Sequence, residues 1–298
     1  MAGSALRVVS YPDVAAYLDA VGPFLIAREA EHNLLLGIAG TVRDYPDVYP
    51  GPKLFLAAMD GDEVITVASR TDPWRILLSE TAHPEAVELF VPAAAGHGTP
   101  LPGVAGPPAP AARFARAFGA ATGRAASRTM AERVFRLERV IPPPLPPGRW
   151  RSAELADVDR IAAWLVAFQA EAVPHDPPMR DVHEVVTAWV GGRRFVYLWE
   201  VDGKPVSLAT ASAPTPNGIR IGPVYTPPEQ RGRGYARALT AAASQDQLDR
   251  GRRFCFLFTD LANPVSNRIY QQIGYEAVTD VDVWQFDAAR GDRATLGG

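Results

Sequence analysis

Apolar residues along this chain alternate between two periods. In PDVAAYL (12–18) and ADVDRIAAWL (156–165) they recur at helical spacing behind an aspartate able to cap the first turn, so each stretch predicts an amphipathic helix. FLAAMDGDEVITVA (55–68) and YLWEVDGKPVSLAT (197–210) are apolar runs broken by Asp-Gly, the pattern of two antiparallel strands joined by a tight turn. ERVFRLERV (132–140) and VTDVDVWQF (278–286) read as strands. Each half therefore predicts helices first, a hairpin in the middle, another helix and closing strands, which is a mixed α/β domain. The recurrence suggests duplication.

The halves meet at PPPLPPG (142–148), where five prolines in seven positions exclude both helix and central strand. Such a segment spans roughly 20 Å at ~3.1 Å per residue and acts as a semi-rigid spacer. The expected organisation is a domain over 1–141, a Pro-rich linker over 142–148 and a second domain over 149–298. Within the first half, Ala93 to Ala112 is the least regular stretch and reads as a loop or the remnant of a site.

Composition bounds the function. With 298 residues, 47% of them hydrophobic, the chain can build two cores of ordinary size. A net charge of −3 argues against a surface adapted to nucleic acid or anionic lipid. The single cysteine, Cys255, lies in the apolar run FCFLF and cannot form an intramolecular disulfide. The N-terminal residues lack a basic segment followed by an apolar core, and no run approaches the ~18 apolar residues of a membrane span. A cytoplasmic protein with no membrane partner is expected. Five scattered histidines show no zinc-ligand spacing, so no metal is expected.

Chemistry concentrates in the second half. GIRIGPVYTPP (218–228) reads as a strand, EQRGRG as a loop, and YARALTAAASQDQL as a helix ending near Gly251. Strand, glycine loop and helix start in succession present unpaired backbone N–H groups and the positive end of a helix dipole, which suit a phosphate. Gly232 and Gly234 let successive N–H groups converge. Between 227 and 253 six arginines face three acids, a local +3 in a chain of net −3. A P-loop would need Lys-Ser or Lys-Thr after the glycines, and a dinucleotide-binding fingerprint would need a small residue where Arg237 stands. A disordered Arg-Gly RNA-binding segment would be low-complexity, whereas this is one copy between ordered elements.

Arg231-Gly232-Arg233-Gly234-Tyr235-Ala236 resembles the [Q/R]-x-x-G-x-[G/A] loop of the GCN5-related N-acetyltransferases (GNAT). Asn263, Ser266, Tyr270 and Gly274-Tyr275 fall where that family has N-x-x-[A/S]-x-x-x-Y-x-x-x-G-[F/Y]. The resemblance covers about 150–286 and implies two tandem GNAT-like domains, each a mostly antiparallel mixed sheet flanked by helices, with a degenerate first copy. It implies acetyl-CoA as co-substrate, held by Val224, Tyr225, Thr226, Arg231, Gly232, Arg233, Gly234, Tyr235, Ala236, Asn263, Ser266 and Tyr270. An amine acceptor, small or on a protein, would attack directly, with Tyr270 returning a proton to the departing thiolate. Glu171 is the candidate base, with His175, Asp176 and Glu200 as alternatives. Asn263 before Pro264 is also an ordinary helix cap, and Gly274 an ordinary residue just past a helix end. The first half is expected to carry the same junction at GVAGPPAPAARFARAF (103–118), where Pro107, Pro108 and Pro110 offer no N–H. It would then complete the acceptor cleft or form a homodimer surface. The alternative is a non-catalytic acyl-CoA sensor or interaction module on the same fold.

Overall fold

The computed structural model of the chain describes residues 6–288. Two compact units emerge, 6–133 with 279–288 and Val134–Val278.

The first unit opens with β1 (Arg7–Ser10), α1 (Val14–Ile26) and α2 (Asn33–Asp44). Asp13 caps α1 as expected, its side chain accepting from the Ala16 N–H at 2.9 Å. The hairpin follows as β2 (Lys53–Asp60) and β3 (Glu63–Thr71), then β4 (Ile76–Leu78), a 3-10 turn over Pro84–Phe90, α3 (Val91–Ala95), β5 (Gly103–Gly106), α4 (Pro108–Thr122) and the start of β6 (Ala126–Leu137). Strands β1 to β4 pair antiparallel in order, and β5 runs parallel to β4. The stretch 93–112, expected to be irregular, is mostly ordered: it holds the end of α3, all of β5 and the start of α4. Its glycines serve packing, since a Cβ at Gly103 would collide with the Trp284 carbonyl and one at Gly106 would stand 2.9 Å from Leu78 Cβ.

The second unit takes the end of β6 and continues with β7 (Arg149–Ser152), α5 (Val158–Ala172), α6 (Val182–Ala188), β8 (Phe195–Val201), β9 (Lys204–Ser212), β10 (Gly218–Tyr225), α7 (Tyr235–Asp249), β11 (Phe254–Asp260), α8 (Pro264–Gln272) and the start of β12 (Glu276–Phe286). Strands β7 to β10 are antiparallel neighbours and β11 runs parallel to β10. The β8–β9 hairpin turns at Asp202 and Gly203, both at positive φ, as Asp-Gly allows. Asp157, expected to cap α5, makes no cap bond to that helix. It and Glu154 form a reciprocal capping box around a preceding 3-10 turn.

Residues 142–148 lie within the second unit, where the Trp199 indole donates to the Pro147 carbonyl at 2.9 Å. The units part instead along β6 and β12, each of which begins in one and ends in the other. Beyond Thr279, β12 pairs antiparallel with β5 from Asp282 to Gln285.

The parallel pairs fix the correspondence between units. Since β4–β5 answers to β10–β11, α4 is the counterpart of α8, and the counterpart of the arginine-glycine loop lies between β4 and α3. The expectation that it falls at 103–118 is corrected on this ground.

Candidate active site

Strand β10 stays paired with β9 as far as Tyr225, but its parallel pairing with β11 ends at Arg220↔Phe256. From there the two strands part. The register against β9 shifts between Ile221 and Val224, around Gly222 at φ +141°, whose carbonyl accepts from the Thr210 hydroxyl at 2.7 Å. A bulge of this kind re-aims a strand end. Gly222-Pro223 inside an apolar run was the sequence signal for it, and sequence reasoning did not use it.

After Tyr225 the chain makes a short 3-10 turn, Pro228–Gln230, and reaches α7 through Gly232 (φ +76°) and Gly234 (φ +83°). Both are left-handed, a region other residues enter at a cost of about 1–3 kcal/mol. An added Cβ at Gly232 would meet nothing within 4 Å, so the turn faces open space. The Arg231 N–H already donates to the Pro228 carbonyl at 3.2 Å. Among the described residues, none offers an acceptor to the N–H groups of Gly232, Arg233, Gly234, Tyr235 or Ala236. That is the convergent set of donors expected of an anion cradle. The Tyr235 ring, 5% exposed, packs in the core with Ala238 and Leu239, so this residue lends its backbone alone.

The side chains around the turn are spent differently. Arg231 Nε donates to the Thr226 carbonyl at 2.8 Å, and its Nη2 meets Glu171 Oε2 at 2.6 Å. The Tyr225 hydroxyl donates to Glu171 Oε1 at 3.2 Å. Thr226 shares a hydrogen bond with the Ser207 hydroxyl at 2.8 Å. Among the described residues Arg233 reaches only its own loop, at the Glu229 carbonyl. Arg237 Nη1 donates to Gln272 on α8 at 3.2 Å, and its buried Nε has no partner among the described residues.

Helix α8 starts at Asn263, whose side chain accepts from the Ser266 N–H at 3.1 Å with Pro264 in the first turn. Asn267 donates to the carbonyls of Asp260 and Asn263. Asn263 and Asn267 thus serve local structure. Tyr270 differs: its ring is half-buried against the core, 6.1 Å from the Tyr275 ring, and among the described residues no group bonds its hydroxyl. Burial pushes its pKa up to about 12. Gly274 follows at φ +104°, where a Cβ would stand 2.5 Å from the Arg139 carbonyl, so helix ending and close approach both demand glycine.

Among the alternative bases, Glu200 is committed to Arg151 at 2.7 Å, in a cluster where the same guanidinium holds the Asp157 carboxyl below the usual range. His175 is exposed and Asp176 half-buried in the segment after α5. Cys255 is buried, its thiol pushed up to about 12 by burial, and so is inert as a nucleophile. Among the described residues no cluster of His, Cys, Asp and Glu could hold a metal, and no helix is long and apolar enough to cross a membrane.

Residues 159–275 match the family model described as Acetyltransferase (GNAT) family. This segment belongs to the GNAT family. A GNAT protein of Sphaerobacter thermophilus is 17% identical over 94% of this chain and 95% of its own, with a TM-score of 0.60. A tandem GNAT protein from the clavulanic acid biosynthesis pathway is 16% identical over 96% of this chain and 99% of its own, with a TM-score of 0.56. A Drosophila protein is 13% identical over 96% and 99%, with a TM-score of 0.67. At these identities the likeness concerns the fold, which is that of a tandem GNAT protein. No protein of curated function matches the sequence. The GNAT family is one of acyl-CoA-dependent acetyl transfer, and the turn at Gly232–Gly234 lies within the matched segment.

Proposed function

We propose that the second unit transfers an acetyl group from acetyl-CoA to an amine by direct attack in a ternary complex. The observation that supports this best is the left-handed turn at Gly232 and Gly234, with its unpaired N–H groups, beside a strand that has parted from its neighbour. The diphosphate of the coenzyme rests on the amides of Gly232 to Ala236, charge-assisted bonds of about 1.5–3 kcal/mol each. The strand end from Val224 to Thr226 takes the pantetheine arm and turns a backbone N–H toward the thioester carbonyl, where negative charge develops. Arg231, Arg233, Asn263 and Ser266 are proposed to contact the coenzyme as well.

The amine nitrogen attacks the carbonyl carbon, the C–S bond breaks, and the sulfur gains a proton as the nitrogen loses one. A lysine-like amine of pKa ~10.4 is neutral in only about one molecule in 2,500 at pH 7, a deficit near 4.6 kcal/mol. Glu171 is the proposed acceptor of that proton. Its two oxygens each hold one donor, Arg231 and Tyr225, which leaves lone pairs for the amine. Tyr270 is the proposed donor to sulfur. With a pKa of about 12 its phenol stays protonated at neutral pH. Full transfer to a thiol of ordinary pKa ~8.5 is uphill by about 3.5 units, so the phenol first stabilises the thiolate as a hydrogen-bond donor.

The first unit is proposed to carry no coenzyme and to support the second, or to meet another copy of the chain. The test is calorimetry with acetyl-CoA on the full chain, followed by a panel of amines with detection of free thiol. Binding that vanishes when Arg231→Ala and Gly234→Asp are combined supports the cradle, and unchanged affinity removes it. Binding without transfer to any amine would favour a non-catalytic acyl-CoA module.

A further inference from the structure

Glu171 and Arg231 stand 60 residues apart, one at the end of α5, which the proposed role of Glu171 as base puts on the acceptor side, and one at the head of the proposed coenzyme loop. Their contact closes a ring of four residues. Arg231 grips the Glu171 carboxylate at 2.6 Å and the Thr226 carbonyl at 2.8 Å, its guanidinium lies 5.8 Å from the centre of the Tyr225 ring, and the Tyr225 hydroxyl returns to Glu171 at 3.2 Å. The ring thus spans the acceptor-side helix, the splayed end of β10 and the loop.

A loop arginine beside a phosphate cradle would ordinarily be assigned to the phosphate. Here the guanidinium already has two acceptors and an aromatic face, and the backbone N–H of Arg231 is also engaged. Three of its five N–H donors belong to the two nitrogens so occupied, Nε and Nη2, and the planar fork fixes the direction of the two on Nη1.

We propose that Arg231 and Glu171 are positioning residues that couple the two substrate sites, the carboxylate on the acceptor side holding the coenzyme loop in its binding geometry. The inference rests on the reading of the loop as the coenzyme site. A loop held in advance loses less freedom when its ligand arrives, and that gain appears as affinity. The coupling is reciprocal: whatever Glu171 contributes to coenzyme binding, bound coenzyme returns by fixing Glu171. Acceptor affinity therefore rises once the loop is filled, by the same factor by which bound acceptor raises affinity for the coenzyme.

The diagnostic measurement is the affinity for CoA with no acceptor present, because a residue acting only as a base has no effect there. Glu171→Gln keeps the shape and removes the charge, and it is expected to weaken CoA binding about three- to fivefold, the range of an exposed ion pair. Arg231→Gln is expected to do the same. The double variant should bind no more weakly than Arg231→Gln alone, since both changes break one contact. Arg231→Lys, which keeps a cation within reach, should recover most of the loss, which a general loosening of the fold would not produce. Glu171→Gln with wild-type affinity, or losses that simply multiply in the double variant, would overturn the proposal. Wild-type protein that binds no CoA would instead sink the coenzyme reading itself.

Discussion

After β10 the chain turns left-handed at Gly232 and Gly234 and enters the fifteen-residue helix α7; after β4, at the same place in the order of elements, it enters a seven-residue 3-10 turn and the five-residue α3. The charges differ as sharply as the backbones. Arg231, Arg233 and Arg237 stand at the first junction, while Glu80, Glu85 and Glu88 stand at the second, with no lysine or arginine between 79 and 91. Arg113 answers one of these carboxylates, Glu88, at 3.4 Å. No glycine lies in that stretch, and Pro84 and Pro92 lack an N–H. A diphosphate would meet converging donors at one junction and carboxylates at the other. On the proposed reading, a repeated topology sets where a ligand could sit, while a handful of residues at one turn decides whether it does.

The comparison is most easily broken at Gly234. Gly234→Asp adds a carboxylate to the cradle at a φ of +83°, and losing two charge-assisted bonds of ~1.5–3 kcal/mol each lowers acetyl-CoA affinity by about 100-fold or more. Calorimetry alongside an unchanged melting profile checks it, and near-normal binding would return the two junctions to equal footing. Tyr270→Phe comes next: turnover falls about 100-fold with coenzyme affinity intact, measured by thiol release. Full turnover in this variant would leave the phenol a packing residue.

Alkaline titration sharpens the contrast further. Burial raises Cys255 from 9.0 and Tyr270 from 10.0, each to about 12, and raises Tyr275 as well. Groups raised on folding give their full stabilisation below the unfolded pKa and lose it as pH climbs through the folded one. The thermal midpoint should therefore hold to about pH 9 and then fall toward pH 12, with Cys255→Ala and Tyr270→Phe flattening the fall. A midpoint that ignores this window would contradict the burial of these groups. The smallest effect is expected at the first-unit junction. With Glu80, Glu85 and Glu88 all changed to Gln, calorimetry of the full chain should still find one coenzyme per chain, because removing repulsion supplies no left-handed turn. A second equivalent would show that charge alone had silenced that junction.

What the sequence disclosed was local. Asp13 as a cap, Asp202-Gly203 at the second hairpin, glycines at 232, 234 and 274, and Asn263-Pro264 at a helix start each depend on the conformation of one or two residues, and residue type reports that directly. Pairing between distant segments left no comparable trace. The glycines at 103 and 106 imitated a phosphate turn although they serve close strand approach, and only the parallel partner of β4 reveals where the true counterpart lies. The contact of Glu171 with Arg231 was hidden for the same reason. Each residue was singled out, but nothing in the string joins a helix end to a loop 60 positions away.

Strand β12 has a bearing on how this protein is made. Its end pairs with β5, so when residue 133 has been synthesised the first unit still lacks a partner for one edge. At ~5–20 residues per second, that partner follows on the order of ten to thirty seconds later. Until then β5 offers open backbone to any passing strand. The nascent chain must shield that edge or find a chaperone to do so, and a gene cut at the proline run would yield a first half whose sheet never closes.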